Sequence, residues 1–175
     1  LNMRLDHYTL ALTQLLQALP LLETLALTAG LADAFDGIAA DFALAMEIRQ
    51  KVFVIEQKVP EDLEHDEFDE KATHVLLLAD GKPVGTGRVF ADPERTDTAR
   101  LGRVAVLREY RGLRLGQVLI ATLLEEIKKS GRFRRVLIHA QSSVVELYAR
   151  FGFEKVGEEF YEAGIAHYEM IYLIK

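Results

Sequence analysis

The chain has 175 residues, enough for one domain, and its content of 50% hydrophobic and 27% charged residues is typical of a soluble globular protein. Lys and Arg number 21 against 27 Asp and Glu, and the resulting net charge of -6 argues against general nucleic-acid binding while suiting a cationic substrate. The sequence contains no cysteine, which excludes disulfides, thiolate metal sites and a cysteine nucleophile. The lack of disulfides agrees with the cytoplasmic location that we expect.

Residues 10–31 are rich in Leu and Ala, but Pro20 and Glu23 interrupt the apolar run near its centre. A membrane span needs about 20 predominantly apolar residues, and the basic start and cleavage site of a signal peptide are missing. We expect residues 1–32 to form a helical extension, broken near Pro20, and residues 33–175 to form the main domain. The extension would pack on the domain or on a partner subunit, as in a homodimer, without membrane contact.

From residue 41 onward, the apolar residues alternate between helical and extended spacing. Gly131 and Gly152 mark helix ends, and Ser142 or Ser143 is expected to cap the last helix. A strand–helix–strand unit within a hairpin-rich chain predicts an α/β (α+β) fold with a mixed sheet and helices on its faces. The expected elements are a helix over residues 41–57, strands over 74–79, 84–90 and 98–106, a helix over 115–129, a strand over 136–140, a helix over 143–151, and strands over 156–161 and 167–173.

Residues 61–70 carry seven carboxylates among ten positions. Because so many like charges repel one another in a packed element, this acidic segment is expected to be an exposed loop or a frayed turn. As a group, its carboxylates would attract a cationic amine.

A strand, a basic glycine-containing turn and a long helix follow one another between residues 98 and 129. The N-terminus of a helix has unpaired N–H groups and a partial positive charge, and both favour phosphate binding. Gly112 and Gly116 allow close approach of a ligand to the backbone, and Arg108, Arg111 and Arg114 add charge suited to a polyphosphate. The alternative is an ordinary helix start with solvated arginines.

Residues 103–116 resemble the acyl-CoA signature of the GNAT superfamily, which reads Gln or Arg, two residues, Gly, one residue, then Gly or Ala. Arg111 and Gly116 match its ends, whereas Arg114 occupies the position of its first glycine. If the turn requires a positive φ there, Arg114 is strained. Further stretches, at residues 48–57, 82–89, 147–153 and 162–167, are similar to the ElaA/YjcF-like branch of that superfamily.

This resemblance implies the GNAT acyl-CoA N-acyltransferase fold, a mixed twisted sheet with helices on both faces and a splayed central strand pair. It also implies acetyl-CoA as the cofactor. No metal is expected, because the acidic segment lacks the ligand spacing and the glycine of an EF-hand loop. In that fold the backbone of Val104 and Val106 would pair with the pantetheine arm in the gap between the splayed strands. The residues expected to contact the cofactor are Val104, Ala105, Val106, Arg111, Gly112, Leu113, Arg114, Leu115, Gly116 and Gln117.

The activity implied by the resemblance is direct transfer of an acetyl group from acetyl-CoA to a primary amine of a small molecule or peptide. This reaction needs a base for the amine and an acid for the leaving thiolate. Tyr148 matches the family's tyrosine acid, and the alternative is a tyrosine that packs on the sheet. The base could be Glu64 or His74. Further candidates for the base are His65, Asp66 and Glu67.

Two other histidines lie on predicted strands. His139 is expected to be a satisfied core histidine, and by resemblance His167 would line the acceptor end of the site. Two functions of other classes stay open from the sequence. The first is a noncatalytic acyl-CoA-binding or regulatory module, favoured by Arg114 in the glycine position, and the second is an interaction protein that acts through its N-terminal helices.

Overall fold

The computed structural model describes residues 37–39 and 42–175, so the helical extension expected at residues 1–32 lies outside the described part of the chain. The strands are β1 (Gly37–Ala39), β2 (Thr73–Ala79), β3 (Lys82–Ala91), β4 (Thr98–Val106), β5 (Arg135–Gln141), β6 (Glu154–Glu162) and β7 (Ile165–Leu173). The helices are α1 (Phe42–Arg49), α2 (Glu61–Glu64), α3 (Leu115–Ser130) and α4 (Val145–Ala149). Across the residues described, no helix has both the length and the apolar character that a bilayer crossing requires.

The seven strands form one sheet in the order β1-β2-β3-β4-β5-β7-β6. Most neighbours are antiparallel, but β4 and β5 are parallel and pair only from Thr98↔Arg135 to Arg100↔Leu137. Beyond these residues, β4 continues to Val106 and β5 to Gln141 without pairing to each other. The mixed sheet with a splayed central pair, expected from the resemblance, is therefore confirmed.

Helix α3 packs on one face of the sheet and forms the larger core with β2, β4 and β5. Two glycines of β3 permit this contact, since a Cβ at Gly85 would lie 3.0 Å from Leu119 Cδ1, and one at Gly87 would lie 2.6 Å from Leu123 Cδ1. Both leucines are fully buried. The absence of side chains at two positions of β3 thus sets how closely α3 approaches the sheet.

Helix α1 covers part of the opposite face and continues as a π-helical segment, Gln50–Glu56. The helix expected over residues 41–57 is therefore present, but its hydrogen-bonding pattern changes in the middle. Ala45, Ile48 and Val52 pack with Leu76 of β2 and Ala105 of β4 in a second, smaller core. The two faces of β4 therefore pack into different cores, one into the larger core and the other into the smaller one.

The acidic segment, residues 61–70, differs from the expected exposed loop. It forms α2 and a 3-10 turn at Asp69–Lys71, and the side chains of Glu64 and Asp69 are buried. The reason is Arg49, itself fully buried, which donates to Glu64 Oε1 over 2.5 Å and to Asp69 Oδ1 over 2.6 Å. The positive charge of Arg49 on α1 thus partly offsets carboxylates whose mutual repulsion favours exposure in the isolated segment.

Two more arginines complete this buried ion network, which is partly exposed at its edge, at Arg103 and Asp66. Arg88 of β3 pairs with Asp69 and donates to Asp66 Oδ1 over 2.7 Å. Arg103 of β4 donates to the backbone oxygen of Glu64 over 3.1 Å and lies 3.3 Å from Asp66 Oδ2. With Arg49, Glu64 and Asp69, the network holds three arginines and three carboxylates, so its formal charges balance.

The prediction that Ser142 or Ser143 caps the last helix is wrong. Both residues lie in a 3-10 turn, Ser142–Val144, and no side chain caps the N-terminus of α4. The Ser142 hydroxyl donates instead to Glu159 Oε1 on β6 over 2.6 Å. The Ser142 hydroxyl therefore bonds to a residue distant in sequence, Glu159, and not to the helix end that the local sequence predicted. Gly131, by contrast, follows α3 at φ 62° as expected.

The close packing of α3 on β3 makes Gly87 a test of the fold. Gly87→Ala should lower the free energy of unfolding by about 1–3 kcal/mol, because the new methyl group overlaps buried Leu123. Gly102→Ala is the matched control, since a Cβ at Gly102 meets no atom within 4 Å. Urea unfolding of both variants gives the comparison, and equal stabilities would contradict this account of the packing.

Removal of one partner from the buried ion network should be costly. Asp69→Asn should lower the free energy of unfolding by about 3–5 kcal/mol, because Arg49 and Arg88 each lose an ionic partner. Glu70→Gln, at the exposed neighbouring position, should change it by less than about 0.5 kcal/mol.

The same variant has a pH signature. Burial raises the pKa of Asp69, but the hydrogen bond from Arg49 and the charges of Arg88 and Arg49 outweigh burial and hold this pKa well below its usual value. Because the folded pKa is the lower one, the stabilisation is complete above the unfolded pKa of about 4 and is lost as the pH falls below it. Wild type should therefore lose more stability than Asp69→Asn between about pH 5 and pH 3, and parallel losses would refute the assignment.

Candidate functional site

A cleft of about 730 Å³ opens where β4 and β5 diverge. Its walls include the ends of both strands that do not pair with each other, represented by Val104, Ala105 and Val106 on β4 and by Ala140 and Gln141 on β5. On the sides that face the gap, such strand ends present N–H and C=O groups that need partners. The cleft can therefore bind an extended ligand that carries amide groups.

The turn before α3 has an open backbone, as the phosphate site requires. Gly112 has φ 83°, and a Cβ at either Gly112 or Gly116 would meet no atom within 4 Å. The first helical hydrogen bonds are donated by Gln117 and Val118 to the Arg114 carbonyl oxygen. The N–H groups of Leu115 and Gly116 precede these bonds, so the helix itself does not use them.

Arg114 is left-handed, with φ 58° and ψ 14°, at the N-terminus of α3. The turn does require a positive φ at the position where the acyl-CoA signature has its first glycine. For a residue with a Cβ this conformation costs roughly 1–2 kcal/mol. The turn nevertheless adopts this left-handed conformation with an arginine at that position.

Arg111 is anchored rather than free. Its guanidinium donates to Glu56 Oε1 over 2.6 Å and to Glu56 Oε2 over 2.8 Å, and its Nε donates to the Val106 carbonyl oxygen over 3.0 Å. The hydrogen bond and the charge of Glu56 raise the pKa of Arg111. Arg111 therefore ties the end of β4 to the π-helical segment at one wall of the cleft, and the Val106 carbonyl already has a partner.

Tyr148 of α4 also lines the cleft and is 8% exposed. Its ring contacts Phe153 edge-on, with 5.7 Å between the ring centroids. Burial raises the pKa of its hydroxyl above the usual value. The phenol is therefore held in its protonated form at neutral pH, the form that a general acid needs.

The two residues first considered as bases are poorly placed for that role. Glu64 lines the cleft, but Arg49 Nε and Nη2 contact its carboxylate oxygens over 2.5 and 3.0 Å. His74 is not among the residues that line the cleft; its Nε2 lies 2.9 Å from the Asp69 carbonyl oxygen, and its ring packs against Phe42. Both residues support the buried ion network instead.

A different set of titratable side chains faces the cleft from β5 and the β6–β7 hairpin. His139, expected to be a core histidine, lies in the cleft wall with its side chain 26% exposed, and its Nδ1 is 2.8 Å from Glu162 Oε1. His167 lines the same cleft. Its expected place at the acceptor end of the site stays a prediction. Glu162 was not predicted as a site residue, although it opens the 162–167 stretch that carries the resemblance. The sequence does not show that Glu162 on β6 lies next to His139 on β5, because β7 separates the two strands in the sheet.

Comparisons with known proteins agree with this geometry. The family model of an acetyltransferase (GNAT) domain matches residues 36–174. YjcF of Bacillus subtilis (strain 168), described as an uncharacterized N-acetyltransferase, is 32% identical over 128 residues, which are 73% of this chain and 89% of the relative. The crystal structure of Escherichia coli ElaA matches with a TM-score of 0.67 and 28% identity over 74% of this chain and 87% of that one.

An acyl-CoA N-acyltransferase from Pseudomonas aeruginosa matches with a TM-score of 0.70 and 26% identity, over 79% of this chain and 99% of that one. The splayed β4–β5 pair, the family model and these relatives all lead to the same assignment. The chain belongs to the GNAT acetyltransferase family, with relatives that include ElaA and YjcF, as the resemblance in its sequence predicted.

Proposed function

We propose that this protein is an N-acetyltransferase that moves an acetyl group from acetyl-CoA directly to a primary amine of a small molecule or peptide. One observation carries the proposal: the cleft between β4 and β5 is lined both by Arg111, which precedes the open turn of α3, and by Tyr148. A cytoplasmic location, where acetyl-CoA is available, belongs to this proposal.

The chemical character of the cleft suits acyl-CoA. The backbone of Val104, which has no partner in the β3–β4 or the β4–β5 register, suits the amides of a pantetheine arm, and the N–H groups of Leu115 and Gly116 suit a pyrophosphate. The open space above Gly112 and Gly116 leaves room for phosphate oxygens close to the backbone. When bound, acetyl-CoA would supply an activated acetyl group as a thioester. The Pseudomonas aeruginosa relative, described as an acyl-CoA N-acyltransferase, supports this choice of cofactor.

Within this site the chain's own residues would orient the ligands and move protons. Tyr148 would donate its phenolic proton to the departing sulfur, since burial keeps the hydroxyl protonated. The N–H groups at the start of α3 would hold the far end of the cofactor and so fix the depth at which its thioester lies.

A noncatalytic acyl-CoA-binding or regulatory module is the second candidate. It is favoured by the left-handed Arg114 in the glycine position and by the engagement of Arg111 with Glu56, both of which could alter cofactor binding. The discriminating experiment is release of free CoA thiol from acetyl-CoA against a panel of primary amines. Amine-dependent release supports the enzyme, whereas binding without release supports the module.

Acetyl-CoA should stabilise the protein against heat. A ligand that binds only the native state at about a hundredfold excess over Kd adds about 2.7 kcal/mol to the free energy of unfolding. Gly116→Asp should abolish the rise in Tm, because it adds a negative charge at the phosphate site, while Gly116→Asn, of the same size but neutral, should retain part of it. If the wild-type Tm does not move at millimolar acetyl-CoA, the cofactor assignment is wrong.

Tyr148→Phe should separate chemistry from binding. The phenylalanine keeps the ring contact with Phe153 but has no proton to donate, so kcat should fall by about 10²- to 10⁴-fold while the acetyl-CoA Tm shift persists. Tyr161→Phe, at a side chain that is 71% exposed, is the control and should leave kcat unchanged. An unaltered kcat in Tyr148→Phe would show that Tyr148 only packs on the sheet.

A further inference from the structure

Four side chains from three neighbouring strands meet on one side of the sheet. His139 lies on β5, Phe160 and Glu162 on β6, and His167 on β7. The ring of Phe160 contacts both histidines, with centroid separations of 4.9 Å to His139 and 5.9 Å to His167. Both histidines and Glu162 line the cleft, so titratable groups are concentrated on the wall formed by β5 and the β6–β7 hairpin.

The hydrogen bonding of His167 fixes its tautomer. Its Nδ1 lies 2.7 Å from the carbonyl oxygen of Ile165, and a carbonyl oxygen can only accept. Nδ1 therefore carries the hydrogen, and the lone pair of the neutral ring lies on Nε2. Within the described residues, no hydrogen-bond partner occupies Nε2, and the ring as a whole is 8% exposed. In this tautomer, Nε2 of His167 therefore has a lone pair that no described residue uses, on a ring that lines the cleft.

His139 differs in this respect. Its Nδ1 is hydrogen-bonded to Glu162, and its Nε2 lies 3.7 Å from Glu169 Oε2. Each ring nitrogen therefore faces a carboxylate. The hydrogen bond from His139 is the largest cause that lowers the pKa of Glu162, so this carboxylate is ionised at neutral pH. His139 and Glu162 form a hydrogen-bonded pair beside His167, whereas Nε2 of His167 has no such partner among the described residues.

We infer that His167 is the general base of the proposed reaction and accepts the proton of the acceptor amine at Nε2. The inference rests on the proposed function. As the amine nitrogen forms its bond to the acetyl carbon, the carbon–sulfur bond breaks, His167 takes the nitrogen's proton, and Tyr148 gives its own proton to sulfur. Exchange with solvent then returns one proton from His167 and one to Tyr148, so the products are the acetylated amine and the free thiol.

The groups that face His167 support this assignment. Glu162 on β6 lies close enough for its carboxylate and the ring to interact electrostatically, and a negative charge there stabilises the imidazolium formed when His167 accepts a proton. His139 on β5, Arg103 on β4 and Asp66 in the acidic segment also line the cleft. Arg103 pairs with Asp66, so these two charges largely offset each other.

The first test needs neither cofactor nor amine. Nitrogen-15 NMR of the histidine rings distinguishes a hydrogen on Nδ1 from one on Nε2. Above neutral pH, His167 should carry its hydrogen on Nδ1, with a single-residue substitution at position 167 used to assign the signal. A hydrogen on Nε2 would overturn the inference, because the lone pair would then face the Ile165 carbonyl and not the cleft.

The second test compares two histidine variants across pH. In His167→Gln, kcat should fall by about 10²- to 10⁴-fold, while the acetyl-CoA Tm shift is kept. The decline of kcat towards low pH, the acidic limb of its pH profile, should disappear in this variant. In His139→Gln the acidic limb should persist, even if the rate falls. If the limb persists in His167→Gln, or disappears in His139→Gln alone, the inference fails.

The two tests also separate this inference from the proposed function. A wild-type protein that binds acetyl-CoA but acetylates no amine contradicts the proposed function, and the role of His167 as a base fails with it. A wild-type protein that acetylates amines, with an intact acidic limb in His167→Gln, contradicts only the assignment of the base. Retained Tm and retained acetyl-CoA binding show that each variant is folded.

Discussion

The rest of the structure depends on the ion pairs of Arg49, whose guanidinium is fully buried. It binds Glu64 and Asp69, and through them it seats the acidic segment against α1 and β3. A buried ion pair contributes little net stability compared with apolar residues of the same shape, but loss of one partner is costly. The network therefore specifies where the segment lies more than it adds to the stability of the core.

The position of the acidic segment also affects the functional site, because the segment contacts Arg103 of β4. The seated segment presents the backbone oxygen of Glu64 to Arg103, and Arg103 lies at φ 52° where the register of β3 and β4 shifts. Glu64, Asp66 and Arg103 all line the cleft opposite the histidine-bearing strands. One wall is thus built from paired charges, and the other from histidines and a carboxylate that can exchange protons.

The sequence was informative where a local pattern determined the structure. The period of the apolar residues located α3 and the strands, and the basic turn with Gly112 and Gly116 located the open N-terminus of α3. The acidic segment was misjudged, since its partners Arg49 and Arg88 lie 20 and 19 residues from Asp69 and no local pattern reveals that they converge there.

His139 was misjudged for a related reason. It lies in an apolar strand, where a histidine is expected inside the core, but β5 alternates, and only Val136, Ile138 and Ala140 face the core with α3. The other side of β5 faces the cleft because β4 diverges from it. The position of Glu162 opposite His139 depends on the order β5-β7-β6, which pairing across the sheet decides and the sequence does not display.

The left-handed backbone at Arg114 has a consequence for the side chain that this position can carry. The helix that follows buries Leu115, Val118 and Leu119, and burial of one such side chain contributes about 1.5–3 kcal/mol. That exceeds the strain of a single left-handed residue, so the packing of α3 imposes the shape of the turn from outside. A position whose backbone is imposed in this way keeps its left-handed conformation even with a side chain that disfavours it. An arginine at the position of the signature glycine thus adds a positive charge and a long side chain to the surface of the turn.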